Sequence, residues 1–163
     1  MMNKIKQFLP LIITSVVFAL VLTWNSFFMI AKIPTESMAN TIKPGQYVLV
    51  FRTRDITRGD IVAFYSQEYN KKMVKRCIGT ANDVIDCRKG SIYLNGEYLE
   101  EPYVSSLAQD DITFIVPDDT CLFLGDNRAN SNDARTWDNP YIETLDIIGK
   151  VILEIYPEIK TIE

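Results

Sequence analysis

Ile92-Tyr93-Leu94-Asn95-Gly96-Glu97-Tyr98-Leu99 is the most legible stretch of the chain. Two arms rich in aromatic and β-branched residues flank Asn-Gly. A type I′ turn needs positive φ at both central residues, and Asn-Gly meets that need well. A tight hairpin is therefore predicted. The same texture extends outward. Upstream, Gln46 to Phe51, Asp60 to Tyr65, Lys72 to Gly79 and Asp83 to Cys87 read as strands. Polar turns at Asp55 to Gly59 and Gln67 to Lys72 separate them. Downstream, Ile112 to Val116 and Thr120 to Leu124 flank Pro117-Asp118-Asp119, and Ile147 to Tyr156 reads as a last strand. Glu100 to Asp111 reads as a loop and Gly125 to Asn139 as a long polar segment. Asn139 to Asp146 has room for a short helical turn. Short strands between turn residues predict an all-β fold, a partly open barrel or two packed sheets.

The N-terminus differs. Phe8 to Ile30 carries no charge. As a helix it would span about 34 Å, enough for a bilayer core of roughly 30 Å. Pro10 falls in the first turn, where proline is tolerated. Trp24, Phe27 and Phe28 suit an aromatic anchor at the far end, and Lys4 and Lys6 favour an inside N-terminus. A cleaved signal peptide usually has a shorter core and a small-x-small exit. A buried soluble helix would show a polar face. The expected organisation is a short cytoplasmic stretch (1–7), a transmembrane anchor (8–30) and one β-rich domain (31–163).

Composition narrows the chemistry. The chain has 163 residues, with 17 Lys and Arg against 21 Asp and Glu, net −4. Because Lys4 and Lys6 precede the apolar run, the remainder is more acidic still, a poor match for nucleic acid. There is no histidine. That removes a Ser-His-Asp triad, a Cys-His dyad and nearly all catalytic zinc sites. Any general base must be Asp, Glu, Lys, Tyr or Cys. Cys77, Cys87 and Cys121 have no metal-cluster spacing. One bridge, such as Cys87 to Cys121, is open; three buried thiols are the other reading.

Three polar features interrupt the apolar pattern. Ser37 lies in Ile33 to Gly45, IPTESMANTIKPG, a segment without helical period. Pro34 extends the chain around it and Pro44-Gly45 turns it into the next strand. A loop serine by itself says little. Lys75 sits in mid-strand with Met73 and Cys77 on its face, so burial is plausible, although strand lysines usually face water. At its ordinary pKa of about 10.4 it would be under 1% neutral at pH 8. Burial disfavours the charged form and lowers that value. A drop of about two to three would let it take a proton from a serine hydroxyl. Gly125 to Arg135, GDNRANSNDAR, is either an exposed charged loop or a polar loop held in one shape; spacing does not choose.

IPTESMANTIKPGQYVLV, RGDIVAF, KRCIGTANDVI and GDNRANSNDAR follow one another behind the apolar run. In order and character they resemble the motif boxes of bacterial type I signal peptidases, membrane-anchored serine proteases with a Ser/Lys dyad. The resemblance covers Ile33 to Arg135 plus the anchor. It implies that Ser37 is the nucleophile and Lys75 the general base. Thr35 would help the Ser37 N–H form an oxyanion hole, and Ser131 would orient the lysine amine. Asp133 and Arg135 would form a structural ion pair with Arg76 nearby. Ile33, Met38, Ile42 and Val74 would line the pocket for the residue before the cut.

The implied reaction removes signal peptides from secretory preproteins after small-x-small sites such as Ala-x-Ala, without metal or organic cofactor. The implied partners are those preproteins, the lipid bilayer and the secretion translocon, with no nucleic acid. The implied location is the cell membrane, single-pass, with the β-domain outside. The chain departs from the pattern at Asn40, which replaces a usual proline and is expected to loosen its loop. Thr80-Ala81-Asn82-Asp83 replaces a Leu-Pro-Gly-Asp turn, with Asn82 able to adopt positive φ. Ala134 and Asp138 are further departures, and Glu36 adds a charge beside Ser37. Two other readings share these residues: a self-cleaving repressor-type Ser/Lys protease, and a membrane-tethered β-domain that only binds a partner.

Overall fold

The computed structural model describes residues 2–104 and 111–162. Among the described residues one α-helix, α1 (Met2–Phe27), is followed by twelve strands: β1 (Phe28–Lys32), β2 (Tyr47–Phe51), β3 (Ile61–Ser66), β4 (Lys71–Thr80), β5 (Val84–Arg88), β6 (Ser91–Leu94), β7 (Glu97–Tyr98), β8 (Asp111–Ile115), β9 (Thr120–Leu124), β10 (Tyr141–Glu143), β11 (Ile147–Tyr156) and β12 (Lys160–Thr161). An eight-stranded sheet runs β1-β2-β11-β3-β4-β9-β10, with β12 added to β11. A second sheet runs β7-β6-β5-β8. The protein is thus mainly β with one N-terminal apolar helix, as the sequence predicts.

The hairpin forms where expected, with Asn95 at φ 53° and Gly96 at φ 89°. Asn82 adopts φ 68°, in the left-handed region that its residue type tolerates. The remaining predicted strands form within a residue or two of the bounds read from sequence. The predicted loop Glu100 to Asp111 falls partly outside the described residues.

Large β-sheet proteins bury the sheet face that is apolar, and here both faces of the large sheet are. Val62 and Phe64 of β3 point into a core shared with the second sheet through Ile85, Ile92 and Phe114. Ile61 and Ala63 point the other way, onto Ile33, Met38, Val48 and Val151. This explains why Ile61–Phe64 reads as a continuous apolar run rather than an alternation. Cys77, Cys87 and Cys121 are all buried thiols. A hydrogen bond with Cys121, and then burial, push the Cys77 thiol far up, so it stays protonated and packs as a small apolar group.

Two boundaries differ from expectation. The helix ends at Phe27, and Phe28 to Ile30 belong to β1, paired from Phe28↔Phe51 to Lys32↔Tyr47. An uncharged run serves a helix or a buried strand equally well. The far partner, Tyr47–Phe51, decides. The span from Phe8 to Phe27 remains long and apolar enough to cross a membrane. The short helical turn expected between Asn139 and Asp146 forms at its end, as the 3₁₀ turn Thr144–Asp146, while the residues before it form a strand, β10, that was not expected.

Candidate active site

Ile33 leaves β1 and is buried. Its N–H bonds to the Gln46 carbonyl at 2.9 Å, and its own carbonyl accepts from Gly45 at 2.7 Å. These bonds close Pro34 to Pro44 into a compact loop. At its tip, Glu36–Met38 forms one 3₁₀ turn rather than the extended segment expected. Met38 is the reason: it is 1% exposed and anchors the turn in the core beneath the sheet. Ser37 is 6% exposed, with its Oγ 3.3 Å from Thr35 Oγ1. The Ser37 N–H falls at the start of this turn, where amide hydrogens lack an intrahelical acceptor.

Lys75 lies on β4 opposite Val62 of β3 and is 4% exposed. Its Nζ donates to Ser131 Oγ at 3.0 Å. Burial lowers its pKa from 10.5 to about 8. Asp133 raises it again in part, while Arg135 and Lys71 lower it further. Asp133 is fully buried. It accepts from Arg135 Nε at 2.8 Å and from the Gly125 N–H at 3.0 Å, and these contacts hold its carboxyl below the usual range.

Gly125 brings the two halves together. β9 leaves β4 after Leu124↔Arg76, and the chain from Gly125 turns toward Ser37. The Asn127 N–H bonds the Ser37 carbonyl at 3.0 Å, and its side chain donates to the Glu36 carbonyl at 3.1 Å. A Cβ on Gly125 would lie 2.6 Å from the Ser37 carbonyl and would collide with Ser131 Oγ. Ser131, which accepts from Lys75, and Ser37 therefore meet across a single glycine.

A groove of about 740 Å³ opens over this site. Ile33, Thr35, Ser37, Met38, Val74 and Lys75 all line it. Ile42 does not: it is 0% exposed and packs beneath the groove, where the loop folds back under Met38. Met29 and Ala31 of β1 and Ala63 of β3 supply apolar wall that sequence reasoning did not name. Two strand edges flank the groove. Among the described residues β1 pairs with β2 alone. The stretch of β4 before Arg76 pairs with β3 alone.

Arg76 is near the site, but its carboxylate partner is Asp126, not Asp133. Nε and Nη2 form two bonds, of 2.9 and 2.8 Å, and the guanidinium lies 3.8 Å from the Tyr103 ring centre. Thr41 also donates to Asp126, and Arg128 makes a bidentate pair with Glu101. Asn40, expected to loosen its loop, instead donates to the Asp126 carbonyl at 2.9 Å and the Tyr103 carbonyl at 3.2 Å. Glu36 accepts from Asn130 at 2.7 Å. Asp126, Glu101 and Tyr103 were missed because the residues that tie them to the site, Arg76, Arg128 and Asn40, are tens of residues away.

The mainly β domain thus places a serine hydroxyl and a buried amine along one groove. Comparison with known proteins gives the family. Residues 5–156 match "Signal peptidase, peptidase S26". Signal peptidase I U of Bacillus subtilis is 32% identical over 172 residues, covering 95% of this chain and 90% of that protein. Probable signal peptidase I-2 of Synechocystis is 30% identical over 136 residues, covering 77% of this chain but 62% of that protein's own length. A crystal structure of a signal peptidase I from Enterococcus faecalis aligns at TM-score 0.53 and 28% identity, over 59% of this chain and 96% of that one. The chain belongs to the signal peptidase family, whose members are serine endopeptidases that remove signal peptides.

Proposed function

We propose that this chain is a membrane-anchored serine endopeptidase that removes signal peptides after small-x-small sites, with Ser37 as nucleophile and Lys75 as general base. The observation that carries the reading is the state of Lys75: almost wholly buried, held by Ser131, and with a pKa lowered to about 8. A lysine of that acidity is about half neutral at pH 8 and can accept a proton without histidine.

The substrate lies extended between the open edges of β1 and β4, adding its backbone to one or both. Ile33, Met38 and Val74 bound a shallow apolar pocket that takes a small side chain just before the cut. Ser37 Oγ attacks the carbonyl carbon as its proton passes to Lys75 Nζ. The oxyanion is met by the Ser37 N–H and the Thr35 hydroxyl, donors that gain most in the transition state. Lys75 returns the proton to the leaving amine, and the mature protein departs. Water, activated by neutral Lys75, then opens the acyl-enzyme and frees the signal peptide. Asp133, Arg135 and Arg76 hold the loop that presents Ser131.

α1 anchors the enzyme in the plasma membrane, with residues 1–7 cytoplasmic and the β-domain outside, where preproteins emerge from the translocon. The full chain in detergent, given a preprotein with one Ala-x-Ala site, should yield a mature N-terminus directly after the second alanine. Replacing that alanine by phenylalanine should abolish the cut. Equal cleavage of both substrates, read by mass spectrometry of the product, would rule out the small-residue pocket.

A further inference from the structure

The groove walls are unevenly charged. Lys71 and Lys72 are exposed and line it from the β4 side, and Lys32 lines it from β1. Among the described residues, none of the three has a carboxylate within ion-pair distance. Lys71 and Lys32 lie instead beside the rings of Tyr69 and Tyr47, at 5.1 and 5.9 Å. The acid on the groove wall, Glu36, sits at the serine end and is already held by Asn130.

Position along the groove gives these lysines a meaning. Strands β1, β2, β11, β3 and β4 are successively antiparallel, so β1 and β4 run in the same sense through the sheet. Along β1 the chain passes from the end of α1 towards Ser37, and β4 passes from Lys71 to Lys75 alongside. Lys71 precedes Lys75 by four residues, about 13 Å of extended chain. An extended substrate running in the same sense as β1 and β4, with its scissile carbonyl at Ser37 and the residue before the cut beside Lys75, would have the fourth and fifth residues before the cut beside Lys72 and Lys71. This is the α1 side, from which a membrane-held substrate enters.

We propose that Lys71 and Lys72 make the enzyme select for a carboxylate, and against Lys or Arg, at the fourth to fifth residue before the cleaved bond. The inference rests on the groove being the substrate channel. Glu36, the acid on the groove wall, is beside Ser37 and already accepts from Asn130. The lysines are solvent-exposed, so the effect is modest: about two- to five-fold for a single charge, fading as salt screens it.

Three preproteins differing only at the fifth residue before the cut (Glu, Gln or Lys) are assayed with the full chain in detergent at low salt. Wild type should show kcat/KM in the order Glu, Gln, Lys. The Lys71→Glu/Lys72→Glu variant should invert the Glu-to-Lys ratio. Because a ratio is read within one variant, any change in the lysine base cancels. In wild type the ratio should also fall towards one in 1 M salt, a test that survives if the variant fails to fold. A ratio of one at low salt, with the Gln substrate cut normally, would overturn the charge selection and leave the reaction standing. A Gln substrate left uncut by wild type would overturn the peptidase reading itself, and this inference with it.

Discussion

Lys75→Met keeps a side chain of similar reach and removes the amine. The wild-type amine sits in a site that lowers its pKa from 10.5 to about 8. That gap amounts to roughly 3 kcal/mol against the charged form. The sign follows from proton binding. The unfolded chain holds the Lys75 proton up to about 10.5, the folded chain only to about 8. Between those values the unfolded state binds more protons, so wild-type stability rises with pH there. Below pH 8 the whole cost of burying a charge falls on the folded state, and above 10.5 none of it does. Methionine carries no such cost. Wild type should therefore gain roughly 3 kcal/mol relative to Lys75→Met between pH 8 and 10.5. Urea unfolding in detergent measures this, with the fluorescence of Trp137, which is packed against Phe64, as the reporter. Activity should vanish at every pH. Parallel stability curves for the two proteins across that window would refute the argument, because the amine would then be no more acidic folded than unfolded.

Other consequences are as direct. Peptidase activity of the wild type should rise with pH and reach half its plateau near pH 8, about a tenth remaining at pH 7; a flat profile from pH 6 to 9 would remove Lys75 as the base. Gly125→Ala should lower kcat at least ten-fold, since a Cβ there displaces the Ser37 carbonyl and Ser131. The same change should cost about 1–3 kcal/mol of stability by overpacking; denaturation and single-turnover rates check both. Asp126→Ala leaves the Arg76 guanidinium, 2% exposed, without its carboxylate, and should destabilise the domain by about 3–5 kcal/mol in the same unfolding assay.

What the sequence reveals here follows the range of the interactions involved. The Asn95-Gly96 hairpin is local chemistry, and it is where it was expected. Lys75 was legible as a buried group because Met73 and Cys77 share its face, a two-residue pattern. Its contact with Ser131 lies 56 residues away and came only from the family resemblance. The end of α1 was set too late because Phe28-Met29-Ile30 suits helix and strand alike; the pairing with Val50 and Leu49 is a distant fact. Asn40 shows the same limit in the other direction. Read locally, it is a lost proline and a looser loop. In three dimensions it ties the Ser37 loop to Tyr103 and Asp126. Ile42 looked like pocket wall by its place in the motif, but its loop folds it under Met38 and away from the groove. β12 was not foreseen, since two exposed residues, Lys160 and Thr161, carry no strand signature.

The most direct measurement compares wild type, Ser37→Ala and Lys75→Ala on one preprotein bearing an Ala-x-Ala site, with folding of each checked by circular dichroism. The account predicts a cut by wild type alone, with both folded variants inactive across the pH range. Turnover by folded Ser37→Ala or Lys75→Ala at a rate near that of wild type would contradict the dyad.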